Sequence, residues 1–231
     1  MPKKNFFSIH FAGGNRYSFK DFNRYLEKDF NIYHIELPGR GDRIDEDLIS
    51  NIYDMRDDIY EQIKDKLDND YILFGHSLGG LLVYLLTIFI QKKKQNRPNK
   101  LIISGKSSPN TKVKDIRYNL PQNEFIKKLK DLNGTPSAVL EHKELFEFFE
   151  PIIRADFQAI ETFDYLENKK VKTDLMVLTG SEEKNFSKEE IFNWKNYTTK
   201  NYTFHELSGD HFFIYNDIEK VCNLIKSCSK N

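Results

Sequence analysis

Apolar residues gather into six short runs, and each run ends at a glycine-bearing turn. The runs are FFSIHFAGG (6–14), NIYHIELPGRG (31–41), YILFGHS (71–77), KLIISGK (100–106), DLMVLTG (174–180) and NYTFHELSG (201–209). Runs without polar alternation, separated by helical segments, belong to strands buried on both faces of a mainly parallel sheet. The stretch 54–67 sets Met55, Ile59, Ile63 and Leu67 on one helical face, with Asp and Lys outside. Further helices are expected over 78–94, 187–197 and 216–228.

Residues 107–172 break this rhythm. LPQNEFIKKLKDL and HKELFEFFEPIIRADFQAIETFDYL carry helical spacing and no convincing strand. Pro151 is tolerated in the first turn of a helix but kinks one from inside. No internal repeat or low-complexity linker separates the block from its surroundings. Residues 1–231 are therefore expected to form one domain, with 107–172 a helical lid inserted between two strands.

Composition narrows the class. The chain has 231 residues, 39% apolar and 30% charged, which fits a folded globular protein. Lys plus Arg and Asp plus Glu are 35 each, and a neutral balance argues against nucleic acid as the main partner. The lysine runs at Lys92–Lys94 and Lys127–Lys128 read as solvated helix faces. Cys222 and Cys228 match no zinc or redox spacing and read as unpaired thiols of a reducing cytosol. The apolar start is broken by His10 and two glycines, unlike a signal peptide. The strongly apolar LLVYLLTIFI falls short of the ~20 residues a membrane span needs. A soluble, cytoplasmic protein without a membrane partner is expected.

The segment YILFGHSLGGLLVYLL (71–86) carries the chemistry. Gly75 and Gly79 flank Ser77 between an apolar strand and an apolar helix, the setting of a nucleophile elbow. A sharp strand-to-helix turn there exposes the hydroxyl, and the Leu78 N–H at the helix start can stabilise an oxyanion. Serine needs a base. Of six histidines, only His211, in SGDHFF, stands in a loop after the last strand, where the base of an α/β-hydrolase triad belongs. The acid should follow the fifth strand, where LTGSEEKN offers Glu182 and Glu183; it would hold the imidazole's tautomer and stabilise the imidazolium. Asp210 adjoins His211 too closely in sequence to aim at its ring. A second oxyanion donor is expected from HFAGGN, at Ala12 or Phe11. There is no metal motif and no phosphate-cradling GxxxxGK, so no cofactor is implied.

These blocks resemble the type II thioesterases that accompany nonribosomal peptide and polyketide synthases, and the match runs nearly end to end. HFAGG is similar to the family's opening aromatic-Ala-Gly-Gly loop, with His10 where proline is usual. ELPGRGDRIDE, with Arg40, Arg43 and Glu46 in register, resembles the second block. FGHSLGGLLVY is the elbow and ISGKSSP the block after the fourth strand. LNGTPSAVL and PIIRADFQAIETF resemble the family's cap, and GDHFF its terminal Gly-Gly-His-Phe-Phe block, with Asp210 for the second glycine.

The resemblance implies an α/β-hydrolase fold with a mainly parallel sheet. It points to Glu183, third after Gly180, as the acid, where aspartate would be usual. It implies hydrolysis of acyl or aminoacyl thioesters from the phosphopantetheine arm of a carrier protein. The catalytic residues would be Ser77, His211 and Glu183, with Ala12 and Leu78 as oxyanion donors. Phe11, His76 and Phe212, beside these groups in the chain, are the expected substrate contacts. The phosphopantetheine belongs to the substrate; the protein itself is expected to be a monomer without metal. Phe146, Phe148, Phe149, Phe157 and Phe163 are weighed as pocket lining against core. Arg40 and Arg43 are weighed as contacts to an acidic carrier or its phosphate against loop ordering, and Arg154 is expected to pair with Asp156. A general carboxylesterase, an acyltransferase with the same triad, and a catalytically decayed carrier-binding protein remain alternatives.

Overall fold

The expected strands form one six-stranded parallel sheet in the order β2-β1-β3-β4-β5-β6. The strands are β1 (Lys4–Ile9), β2 (Phe30–Ile35), β3 (Tyr71–His76), β4 (Lys100–Ser104), β5 (Asp174–Gly180) and β6 (Tyr202–Leu207). This is a computed structural model, describing residues 3–68, 70–132, 134–164 and 169–228. The helices are α1 (Asn23–Leu26), α2 (Ile52–Ile63), α3 (Leu78–Lys92), α4 (Gln122–Leu132), α5 (Ser137–Glu141), α6 (Lys143–Glu161), α7 (Lys188–Phe192) and α8 (Ile218–Ser227).

Alternation along the strands divides the core into two layers. Phe7, Leu73, Leu101, Ile103 and Val177 face α2 and α3 on one side. Phe6, Ile72, Phe74, Ile102 and Met176 face Phe19, Phe22, Leu26 and α8 on the other. The central strands are buried on both faces, as their unbroken apolar runs require. The outer strands β2 and β6 are only partly buried, which explains the polar residues in NIYHIE and NYTFHE.

Helix α3 is buried almost all round its first three turns, because one side meets the sheet and the other meets α2. The expected 187–197 helix is instead α7 followed by a 3-10 turn over Asn193–Tyr197. An unforeseen pair of helical turns fills residues 16–26, started by the Asn15 side chain, which accepts from the Tyr17 N–H. Between β4 and β5 lie α4, α5 and α6, with a small core of their own made by Phe125, Leu129, Leu140, Phe146, Ile153 and Phe157. Pro151 lies within α6, which continues through it. Asn133 of the LNGT block and residues 165–168 at the end of the insertion lie outside the described residues. No helix among those described is long and apolar enough to cross a membrane.

The strand order sets where a site can form. From β1 the chain steps outward to β2 and then returns to β3 on β1's other side, so the order reverses between β1 and β3. In open parallel sheets the crevice at such a switch point, off the carboxyl ends of the strands, is where ligands bind. The 11–14 loop and Ser77 leave the sheet side by side there.

The elbow rests on two glycines. A Cβ on Gly75 would overlap the carbonyl oxygen of Gly79, and one on Gly79 would overlap that of Ile9. Both obstacles are main chain and cannot rotate aside. Gly79→Ala is therefore expected to destabilise the protein by at least about 2 kcal/mol, the scale of overpacking a tight core. Urea unfolding checks this, and an unchanged midpoint would contradict it.

Candidate active site

Ser77 sits between β3 and α3 with φ 54° and ψ −113°, a conformation a non-glycine residue adopts only under constraint. Its N–H donates to the Ser104 carbonyl (2.8 Å), tying the turn to β4. Its own carbonyl accepts from Gly80 N–H (3.0 Å) and Leu81 N–H (3.3 Å). The backbone is thus held at both ends while the side chain faces a cavity of about 500 Å³. Leu78 opens α3, so its N–H has no acceptor within the helix and lies at the positive end of the helix dipole.

His211 reaches the same cavity from the loop after β6. Its Nδ1–H donates to Glu183 Oε2 at 2.6 Å. The other carboxylate oxygen of Glu183 accepts the Asn185 N–H at 2.8 Å. Burial pushes the Glu183 carboxyl up, but the His211 hydrogen bond and charge and the Asn185 contacts outweigh it and hold the group below its ordinary range. Glu182, by contrast, is exposed. Of the two glutamates, Glu183 meets the ring. Asp210 turns away, accepting the Phe212 N–H (2.9 Å). Among the described residues Ser77 and His211 share no hydrogen bond; such contacts often tighten only when substrate is bound.

Ala12, Phe11 and Phe212 line the cavity, the two rings meeting edge to face at 4.9 Å. The expectation that His76 touches substrate is corrected: its ring is fully buried and does not line the cavity. His76 ends β3 and Ser77 is the elbow beyond it; the His76 ring packs behind the cavity's lining, 5.1 Å from the His211 ring and 5.5 Å from that of Phe212. There it shares a 2.9 Å hydrogen bond with Ser104 Oγ, and burial holds its pKa well below the usual value.

The insertion supplies the cavity's other wall through Leu129, Leu132, Ile153, Phe157 and Ile160. Of the five cap aromatics, only Phe157 lines it. Phe146 is buried in the insertion's core, Phe149 packs against that core, Phe148 is 54% exposed and Phe163 lies tilted against Tyr53 at 6.0 Å. Lys106, just after β4, was not anticipated as a cavity residue. Its ammonium lies 5.1 Å from the Phe186 ring centre, and burial lowers its pKa to about 8.

The arginines also differ from one expectation. Arg40 is buried and pairs with Asp156 in a fork, at 2.6 and 2.8 Å. Arg43 pairs with Asp58 and Glu46. Both order loops, and Arg40 is buried away from the surface. Arg154 pairs with Glu150, one helical turn away, and not with Asp156. Beside Arg40, burial lowers the His10 pKa to about 4 and raises that of Glu36 to about 7. No group of three or more His, Cys, Asp or Glu among the described residues is arranged to hold a metal.

Serine, imidazole and carboxylate in this arrangement suit acyl transfer through a covalent intermediate. The family model for the thioesterase domain matches residues 4–229. Linear gramicidin dehydrogenase LgrE of Brevibacillus parabrevis is 28% identical over 225 residues, covering 96% of this chain and 86% of its own. Gramicidin S biosynthesis protein GrsT of Aneurinibacillus migulanus is 28% identical over 229 residues, covering 97% of this chain and 90% of its own. Among solved structures, ClbQ from the colibactin NRPS/PKS pathway superposes with a TM-score of 0.93 at 26% identity, over 99% of this chain and 98% of that one. The fold is the parallel α/β-hydrolase fold of these neighbours, and with all but the chain's ends matched, the protein belongs to the thioesterase family.

Proposed function

We propose that this protein is a type II thioesterase that hydrolyses acyl or aminoacyl thioesters from the phosphopantetheine arm of carrier proteins in nonribosomal peptide or polyketide synthesis. The observation that carries the reading is the 2.6 Å hydrogen bond that His211, which lines the same cavity as Ser77, donates to Glu183. Similar proteins support the setting: GrsT is a gramicidin S biosynthesis protein, and ClbQ comes from the colibactin NRPS/PKS pathway.

In this mechanism Glu183 fixes the proton on Nδ1 of His211, leaving Nε2 free as base. Ser77 Oγ attacks the thioester carbonyl as Nε2 takes its proton. The N–H groups of Ala12 and Leu78 stabilise the oxyanion. Collapse breaks the C–S bond, the proton passes to sulfur, and the pantetheine thiol leaves. Water then attacks the acyl-serine with His211 again as base, releasing the free acid and restoring Ser77. The 107–172 insertion acts as the lid of a single domain, its apolar wall of Leu129, Leu132, Ile153, Phe157 and Ile160 receiving the acyl chain.

Turnover of an acyl-phosphopantetheinyl carrier protein, followed by release of the free acid, tests the reading. Ser77→Ala is expected to abolish it. Glu183→Gln is expected to lower kcat by roughly 10⁴-fold, the scale seen when a triad loses its carboxylate. Near-normal Glu183→Gln activity would move the acid to Glu182. A strong preference for a nitrophenyl ester over the carrier-bound thioester would favour a general esterase.

A further inference from the structure

Asp156 is the most completely buried carboxylate that this mechanism does not use. It projects from α6 and is 0% exposed. Its Oδ2 accepts the Gly13 N–H (2.8 Å) and an Arg40 Nη1–H (2.6 Å), and its Oδ1 accepts from Arg40 Nη2 (2.8 Å). The same Arg40 Nη1 donates to the Gly14 carbonyl (3.3 Å), and Nε to that of Pro38 (3.5 Å). Three segments far apart in sequence meet here: the loop after β1, the loop after β2, and the insertion helix.

Stability alone does not explain such a cluster. A buried ion pair repays its desolvation only in part, and apolar residues of similar volume often replace it without loss. Its distinctive effect is geometric. Gly14 N–H donates to the Phe11 carbonyl (2.9 Å), closing a tight turn with Ala12 and Gly13 at its centre. Gly13, at φ +75°, is pinned through its N–H by Asp156, and Asn15 N–H donates to Ser18 Oγ (3.1 Å). The N–H groups of residues 13, 14 and 15 are all committed. That of Ala12 donates to no acceptor among the described residues, and Ala12 lines the cavity beside Ser77.

We propose that Asp156 is a positioning residue, which holds the Phe11–Gly14 turn so that the Ala12 N–H is left facing the oxyanion, and so couples oxyanion stabilisation to the seating of the insertion helix. Arg40 completes the device. It neutralises a carboxylate that would otherwise oppose the negative charge developing on the substrate oxygen. Residues Ile153 and Phe157 on the same helix line the acyl cavity, so the element that touches the acyl group also sets the turn. This inference rests on the proposed thioesterase mechanism.

The test compares two double variants in which the charge pair is gone. Arg40→Met with Asp156→Asn keeps a carbonyl acceptor for the Gly13 N–H; Arg40→Met with Asp156→Leu removes it. With an acyl-carrier substrate, the Asn variant is expected within about tenfold of wild-type kcat. The Leu variant is expected about 10²-fold below wild type, the scale of losing one oxyanion donor, with KM within threefold in both. Equal kcat in the two folded variants, or a difference confined to KM, would overturn the proposal. If either double variant does not fold, Asp156→Asn and Asp156→Ala, which share an unpaired Arg40, are compared by the same criteria. Absence of thioester turnover in the wild-type protein would instead remove the function beneath it, whereas wild-type turnover with indistinguishable variants removes only the positioning role.

Discussion

Everything at the carboxyl edge of the sheet depends on holding one serine at a backbone conformation it would not choose. A non-glycine residue at φ 54° and ψ −113° costs on the order of 1–3 kcal/mol. The surrounding structure offsets that cost. β3 is hydrogen-bonded on both sides, to β1 and β4, and α3 is anchored by an apolar surface buried nearly all round. Gly75 and Gly79 are the conditions for strand and helix to come this close. Relaxing the turn would require moving either the central strand or the most buried helix, so the hydroxyl stays presented.

The sheet's topology then decides which groups can join that hydroxyl. The reversal of strand order puts the β1 loop beside the elbow, and the loops after β5 and β6 deliver Glu183 and His211 as neighbours. β5 and β6 are paired from Leu175 and Tyr202 up to Gly180 and Leu207, so the two loops leave from one level. Gly180 passes so close to the Gly209 and Asp210 carbonyls that no side chain fits there. The insertion closes the arrangement from above, tied down through Asp156 and Arg40. A chain with no net charge thus spends a forked, buried ion pair at its site instead of spreading its charges only over the surface.

Much of this architecture was legible from residue patterns, and the misses share a cause. Strands buried on both faces leave continuous apolar runs, and α3 leaves an apolar run after a glycine pair, so these elements were readable locally. The helical turns over residues 16–26 had a readable pattern too: Phe19, Phe22 and Leu26 recur at helical spacing after an Asn15 cap. What local pattern cannot carry is pairing across the chain. Arg40 and Asp156 are 116 positions apart, and nothing in RADF distinguishes a carboxylate that bonds its neighbour Arg154 from one that crosses to another segment. His76 was misread for a different reason. Nearness to Ser77 along the chain suggested contact with the cavity, but His76 ends β3 with its ring fully buried behind those of His211 and Phe212. The choice between Glu182 and Glu183 was likewise undecided by residue type, and only the path of the loop after β5 brings one of them to the imidazole.

The central claim is that the strained turn presents one activated hydroxyl. Incubation of the intact protein with a fluorophosphonate, followed by mass spectrometry of the whole chain and of its peptides, tests it most directly. The expected result is a single adduct, carried on the peptide containing Ser77. No adduct, or one on a different residue with Ser77 unmodified, would contradict it.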